Sequence, residues 1–124
     1  MVVAEAPISV AGWTVRQVNQ ETRDVAPGAT LPLCQAIPLT ELVAHLRTRA
    51  PGRRVTVRLR APGHPARDRQ VVLRRRTAVA FTPHTLRLRD DAFVEGLYRL
   101  TVRRDGRTLA RATLRLARGT GSSC

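Results

Sequence analysis

The chain has 124 residues and a formal net charge of +13, from 22 lysine or arginine and nine acidic side chains. This length fits one domain, which can bury a real core without a metal or many disulfides. No apolar run approaches the roughly 18 to 20 residues that a membrane-spanning helix needs, so no membrane span is expected. The start, MVVAEAPISV, lacks the basic and apolar regions of a signal peptide.

The charge indicates a class of partners more than a site. A field of this strength attracts nucleic acid, anionic lipid or acidic proteins. The sequence contains arginine but no lysine, whereas phosphate-binding proteins normally use both residues. Complete exclusion of lysine is typical of a GC-rich coding bias, which weakens the charge as evidence of function.

The first part of the chain predicts extended structure. Residues 8–18 read as a strand whose apolar parity shifts at Ala11–Gly12, which predicts a β-bulge. A polar segment with turn residues follows. Residues 31–39 are apolar but contain Pro32 and Pro38, which suits an edge strand or an extended segment.

One short helix is predicted near residues 40–49. Thr40 is a favourable N-cap, and Glu41 lies near the positive end of the helix. An apolar stripe at helical spacing follows, and Pro51–Gly52 ends the segment. This stripe comprises Leu39, Leu42, Val43 and Leu46.

From Arg53 onward the apolar period is two, as in half-buried strands. Residues 53–60, 69–76, 77–81 and the terminal hairpin 98–116 are separated by loops or turns. Several short strands with one small helix predict a mostly β, antiparallel β-sandwich. We expect residues 1–117 to form a single sandwich domain and residues 118–124 a flexible C-terminal tail.

The terminal hairpin, YRLTVRRDGRTLARATLRL, alternates apolar residues with arginine. A three-residue loop at Arg104–Gly106 keeps the apolar faces of its two strands in phase. This register places Arg99 opposite Arg111, Arg103 opposite Arg107, and Arg115 opposite Glu95. Opposed like charges destabilise a sheet, so these arginines either splay into solvent or hold an anion. The candidate anion or partner contacts are Arg99, Arg103, Arg107, Arg111 and Arg115.

No catalytic residues, cofactor site or metal site are predicted. His45 follows Glu41 by four residues, which indicates a surface pair on the predicted helix. His64 and His84 lie in proline-containing loops. With an acid such as Asp68 they would form a metal site only if these loops met, and the spacing of the two histidines is not that of a metal motif. Cys34 lies in an apolar run and is interpreted as a buried small hydrophobe. Its pairing with Cys124 stays open.

The stretch LRLRDDAFVEGLYRLTVRRDGRTLARATLRL resembles the last strands of bacterial immunoglobulin-like or fibronectin type III-like domains. In such sandwiches a tyrosine near the start of the penultimate strand fixes the preceding corner through its hydroxyl, and Tyr98 is similarly placed. The immunoglobulin cysteine pair is missing, and Trp13 comes too early for the usual core tryptophan. The resemblance implies a non-catalytic accessory, adhesion or assembly module.

Three functional hypotheses follow. The leading one is an interaction or accessory module that contacts a protein partner or its own subunits, in a bacterial envelope or secreted system. A periplasmic or secreted localisation is expected only from the usual setting of such sandwich domains. The alternative is a basic protein that binds nucleic acid or another polyanion through the hairpin arginines. In the third, the hairpin edge pairs with a strand of another subunit.

Overall fold

The structure is a computed structural model, and it describes residues 7–33 and 38–118. Within these residues the chain forms nine strands in two sheets, with strand orders β2-β1-β4-β7 and β3-β9-β8-β5-β6. A single 3-10 turn lies at Arg89–Asp91. The strands are β1 Ile8–Gln17, β2 Thr22–Val25, β3 Thr30–Leu33, β4 Leu39–Thr48, β5 Arg54–Arg60, β6 Arg67–Val72, β7 Arg76–Phe81, β8 Gly96–Arg104 and β9 Arg107–Arg118. The predicted mostly β sandwich is confirmed.

The core lies between the two sheets because each strand turns its apolar side inward. In β5 the side chains of Val55, Val57 and Leu59 are buried, while the residues between them face outward. This alternation is the one that the period of two predicts. The largest buried side chains are Trp13, Tyr98 and Phe81, so most of the few aromatic residues lie in the core.

The helix predicted near residues 40–49 is wrong, because this segment is strand β4. Its buried residues alternate at a period of two, as Leu42, Ala44, Leu46 and Thr48. Strand β4 lies in the middle of its sheet and pairs with β1 on one side and β7 on the other. Hydrogen bonding to two neighbouring strands outweighs the local capping signals, which are a weak prior on structure.

The strand order is that of an immunoglobulin-like sandwich. The run β9-β8-β5-β6 corresponds to the G, F, C and C′ strands of the variable type, and β4 and β7 correspond to B and E. Strand β3 is an edge strand that contains Pro32, as predicted, and it runs parallel to β9. The other strand pairs in the described part of the chain are antiparallel. Cys34 and Cys124 lie outside the described residues.

The β-bulge predicted at Ala11–Gly12 is confirmed by a register shift between β1 and β4. A Cβ atom on Gly12 would lie 2.9 Å from the carbonyl oxygen of Val25. The absent side chain therefore lets the turn after β2 approach β1 closely. Strand β2 was not predicted, because its segment is polar and contains turn residues.

The terminal hairpin has a different register from the one predicted. Asp105 and Gly106 form a two-residue turn with φ values of 51° and 75°, the positive pair that a type I′ turn requires. Arg104 therefore faces Arg107, and a register shift after Arg103–Thr108 leaves Leu109 as an extra residue in β9. This bulge brings the apolar faces back into phase, which the predicted three-residue loop would also have done.

The tyrosine corner implied by the family resemblance is present. The Tyr98 hydroxyl donates a hydrogen bond to the carbonyl of Val94 at 2.8 Å and accepts one from the Val94 amide at 2.9 Å. Burial raises the pKa of Tyr98 to about 12. The ring of Phe93 packs edge-on against Tyr98, with 6.2 Å between the ring centroids. These contacts fix the corner that leads into β8.

Candidate interaction surfaces

The outer face of the β3-β9-β8-β5-β6 sheet carries arginine and threonine side chains on its three inner strands. We name this surface the arginine–threonine face. It comprises Arg54, Arg58, Arg60, Arg99, Arg103, Arg111, Arg115, Thr56, Thr101 and Thr113. Along β8 and β9, each threonine lies between two arginines on the same side of the sheet.

Arginine and threonine also alternate across this face. Arg99 faces Thr113, Arg111 faces Thr101, and Arg103 faces Thr56. The predicted pairs Arg99–Arg111 and Arg103–Arg107 are therefore wrong. The two-residue turn moves the partner of Arg103 by one residue, to Thr108, and the bulge adds a second residue, so that Arg99 faces Thr113. Arginines on β8 and β9 are now diagonal neighbours, roughly 7–8 Å apart at their Cα atoms. Away from the hairpin tip, the alternation avoids directly opposed arginines between β8 and β9, whereas Arg60 of β5 directly faces Arg99 of β8.

The structure brings four of the five predicted contact residues together. Arg99, Arg111 and Arg115 are exposed on the face, and Arg103 is half-buried there. Arg107 lies apart at the tip of the hairpin, opposite Arg104. Arg115 faces Leu97 instead of Glu95, and Glu95 pairs with Arg118 at 3.2 Å.

Among the described residues, the acidic side chain on this face is Asp68, whose pairing with Arg58 was not predicted. The Arg58 guanidinium donates two hydrogen bonds to the Asp68 carboxylate, at 2.7 and 3.0 Å. These bonds lower the pKa of Asp68 and raise that of Arg58, and the nearby charge of Arg103 lowers the Asp68 pKa further. Arg58 is therefore neutralised locally. Arg99, Arg111 and Arg115 have no acidic partner among the described residues, whereas Arg103 interacts with the charge of Asp68.

Replacing Asp68 with asparagine is expected to change stability little, because exposed ion pairs contribute little. We expect the midpoint temperature of unfolding to fall by less than about 5 °C. The lowered pKa of Asp68 has a defined sign: its contribution is present above the ordinary carboxyl pKa and is lost as the pH falls through the folded-state value. Thermal unfolding of both proteins at pH 7 and pH 3 measures this. A larger difference between the two proteins at pH 3 than at pH 7 would contradict it.

The edge of the terminal hairpin is less available than the sequence indicates. Strand β3 pairs with Arg115–Arg118, and the Gly28 amide donates to the Thr113 carbonyl at 2.8 Å. The Trp13 indole donates to the same carbonyl at 3.2 Å. Among the described residues, the part of β9 near the hairpin tip is left without such contacts, so less of this edge is available for the strand-pairing hypothesis.

A second polar cluster lies on the outer face of the other sheet. The Thr14 hydroxyl is 2.6 Å from Nε2 of His45, and it donates a hydrogen bond to Asp24 at 2.8 Å. Because the segment is a strand, the predicted His45–Glu41 pair is wrong. Glu41 instead lies 3.7 Å from Arg16. Thr14, Asp24 and His45 border a cavity of about 530 Å³.

The remaining histidines are not brought together with Asp68. Nδ1 of His64 is 2.8 Å from the Pro62 carbonyl, and its Nε2 accepts from the Arg89 amide at 3.2 Å. This arrangement fits the tautomer with its proton on Nδ1 and connects two loops. His84 is exposed. Within the described residues no three His, Cys, Asp or Glu side chains lie close enough to hold a metal ion.

The comparisons with known proteins concern the fold. No family model matches the chain, and no curated protein matches it. Among solved structures, the chain is similar to an immunoglobulin-like protein from Pseudomonas aeruginosa, with 17% sequence identity and a TM-score of 0.45. The match covers 93% of this chain and 100% of that one. In the described part of the chain, no helix has the length and hydropathy needed to cross a bilayer.

Proposed function

We propose that this protein is a non-catalytic interaction module of a bacterial envelope or secreted system, and that it binds an acidic protein partner through the arginine–threonine face. The observation that carries the proposal is the presence of three exposed arginines, Arg99, Arg111 and Arg115, without acidic partners among the described residues, on the outer face of one sheet. Arg99 and Arg111 are the most central of these three. Guanidinium groups recognise carboxylates with two parallel hydrogen bonds, which gives such a face geometric selectivity.

A heterologous partner fits this face better than a second copy of the chain. Two copies docked through it would oppose their arginines, and like charges across an interface are unfavourable. The threonine hydroxyls between the arginines add donors and acceptors at fixed positions. An acidic partner surface would neutralise the arginines and also bond these hydroxyls.

Single-stranded nucleic acid fits the face poorly. Proteins that bind it usually stack its bases on exposed aromatic side chains. All four aromatic residues of this chain lie elsewhere: Trp13, Phe81 and Tyr98 are buried, and Phe93 packs against Tyr98. A second candidate function is contact with the phosphates of duplex DNA or with another polyanion. The regular diagonal spacing of the arginines favours it, because such binding needs charge without base readout.

The variant Arg99→Glu,Arg111→Glu tests the proposal against a control of equal charge. Arg23→Glu,Arg74→Glu changes the net charge by the same amount at exposed positions away from the face. The probes are polyglutamate, heparin and a labelled DNA duplex, titrated at several salt concentrations. We expect the face variant to lose about tenfold or more of its polyglutamate affinity, and the control less than about threefold.

The outcomes separate the hypotheses. One outcome is tighter binding to duplex DNA or heparin than to polyglutamate, with a steep salt dependence that is lost in the face variant alone. It would show that the partner of the face is nucleic acid or another polyanion and not an acidic protein. Equal losses in both variants would show that net charge alone governs binding, and the proposal would be wrong. Circular dichroism spectra establish that each variant is folded.

A further inference from the structure

The β2-β1-β4-β7 sheet brings two arginines into direct opposition. Arg47 of β4 faces Arg76 of β7, and Ser9 of β1 faces Arg47 from the other side. Residues directly opposite in an antiparallel pair have Cβ atoms roughly 5 Å apart, and like charges there are destabilising. Both arginines are exposed, and neither has an acidic partner among the described residues. The row Ser9–Arg47–Arg76 therefore holds two positive charges side by side.

This pair forms one wall of a concave surface. The next outward row is Gly12, His45 and Ala78, in which His45 stands between two small residues. Because Gly12 and Ala78 have little side-chain volume, a cavity of about 530 Å³ lies here, and Arg47 and Arg76 line one side of it. Asp24 and Thr14 line it as well. Its volume lies in the range of roughly 300–1,000 Å³ typical of small-molecule sites.

The surroundings of the pair add positive charge. A neighbouring concavity of about 350 Å³ shares Arg47 and Arg76, and it is lined in addition by Arg49, Arg75 and Ser9. Four arginines thus border two adjoining depressions at one end of the sandwich. In contrast, the pair Arg60–Arg99 on the other sheet borders neither depression. Both pairs are directly opposed arginines, and what sets Arg47 and Arg76 apart from Arg60 and Arg99 is that they line a cavity.

We propose that this cavity binds a small molecule through a phosphate or sulfate group held between Arg47 and Arg76. Two guanidinium forks that converge on one tetrahedral anion each make paired hydrogen bonds and remove their mutual repulsion. The body of the ligand lies over His45, and its hydroxyl groups donate to the Asp24 carboxylate, which already accepts from Thr14. The site is on the opposite sheet from the arginine–threonine face and does not depend on the function proposed for that face.

The test titrates the protein with inorganic phosphate, inorganic sulfate and a hexose phosphate, and follows the three histidine ring signals by NMR. The chain has three histidines, and His64 and His84 serve as internal references because they do not line the cavity. We expect the His45 signal, assigned with a His45→Gln variant, to shift saturably. The hexose phosphate should bind more tightly than inorganic phosphate, because only its sugar hydroxyls reach Asp24.

Two double variants provide the matched comparison. Arg47→Gln,Arg76→Gln should lower the affinity for the hexose phosphate at least tenfold, and Arg23→Gln,Arg74→Gln, at exposed positions that line neither depression, should leave it within about twofold. Without ligand, the first variant should melt at the same or a higher temperature, since a repulsive pair is removed. The absence of saturable binding, a shift shared equally by the three histidines, or equal losses in both variants would overturn the proposal.

Discussion

Replacing Gly96 with alanine is expected to lower the free energy of unfolding by about 2–4 kcal/mol. Gly96 begins β8 with a φ of 127°, in a region that residues with a side chain rarely adopt. An added Cβ atom would lie 2.7 and 2.9 Å from side-chain atoms of Pro62. The proline ring cannot rotate away, so the added methyl group must displace either the loop or the strand. Urea denaturation of both proteins measures the difference.

Gly52→Ala is the control for this prediction, because it separates backbone strain from the steric contact. Gly52 has a φ of 96°, and nothing lies within 4 Å of the position where its Cβ would be. Strain alone should cost about 1–2 kcal/mol there. Equal losses in the two variants would mean that the contact with Pro62 contributes nothing.

The position of Gly96 connects stability with the proposed surface. It lies within the tyrosine corner, between Val94 and Tyr98, and starts the strand that carries Arg99 and Arg103. The close contact with Pro62 therefore places β8 relative to the loop after β5. A Gly96→Ala protein that still folds should bind polyglutamate more weakly, because the alignment of arginine and threonine across β5, β8 and β9 depends on this register.

Much of the fold could be predicted from the sequence wherever a pattern had one structural interpretation. The strict alternation around Val55, Val57 and Leu59 fits only a strand with one buried face. The parity shift at Gly12 required a bulge, and the bulge is there. The Tyr98 hydroxyl forms the tyrosine corner that the resemblance to immunoglobulin-like domains implied. In each case short-range physics and the final packing favour the same structure.

The errors arose where local signals allowed two structures. Leu42 and Leu46 are spaced for a helix face and also for one side of a strand, and the small residue Ala44 hid the second pattern. The neighbours β1 and β7 decided between them, and no local window contains those neighbours. The hairpin had two ways of keeping its apolar faces in phase, a longer loop or a later bulge. The sequence around Asp105–Gly106 satisfies both.

The hairpin error changed the candidate site more than it changed the fold. Either register buries Leu100 and Leu114, so the core is almost insensitive to the choice. The arginine pairs are lost, because a two-residue shift of β9 keeps the same side chains on each face and changes which of them lie opposite each other. A surface is therefore harder to predict than a core, since burial energy constrains the inner face and leaves the pairing of the outer face free.

The alkaline titration of Tyr98 is expected to be shifted to a midpoint of about 12 in the folded protein. The chain contains one tyrosine and no lysine, while thiols titrate near 8.5 and arginine above 12. Tyrosinate absorbance between these limits therefore reports Tyr98 alone. Ionisation would remove the proton that the hydroxyl donates to the Val94 carbonyl and would place a charge in the core.

The sign of the linked change in stability follows from this shift. The folded-state pKa lies above the ordinary value of 10.0, so the contribution of Tyr98 is complete below pH 10 and is lost as the pH rises toward about 12. Because each tenfold change in proton affinity is about 1.4 kcal/mol, the loss is at most roughly 2–3 kcal/mol. Urea unfolding at a series of pH values should show this fall in the native protein.

Tyr98→Phe provides the decisive comparison. It leaves the amide and carbonyl of Val94 without their partner, which should cost about 1–3 kcal/mol at neutral pH. The variant has nothing to ionise in this range, so its stability should be flat between pH 10 and 12, and the two curves should converge as the pH rises. A tyrosinate midpoint near 10 in protein that is still folded would show that water reaches the hydroxyl. The corner would then contribute little to holding β8 in place.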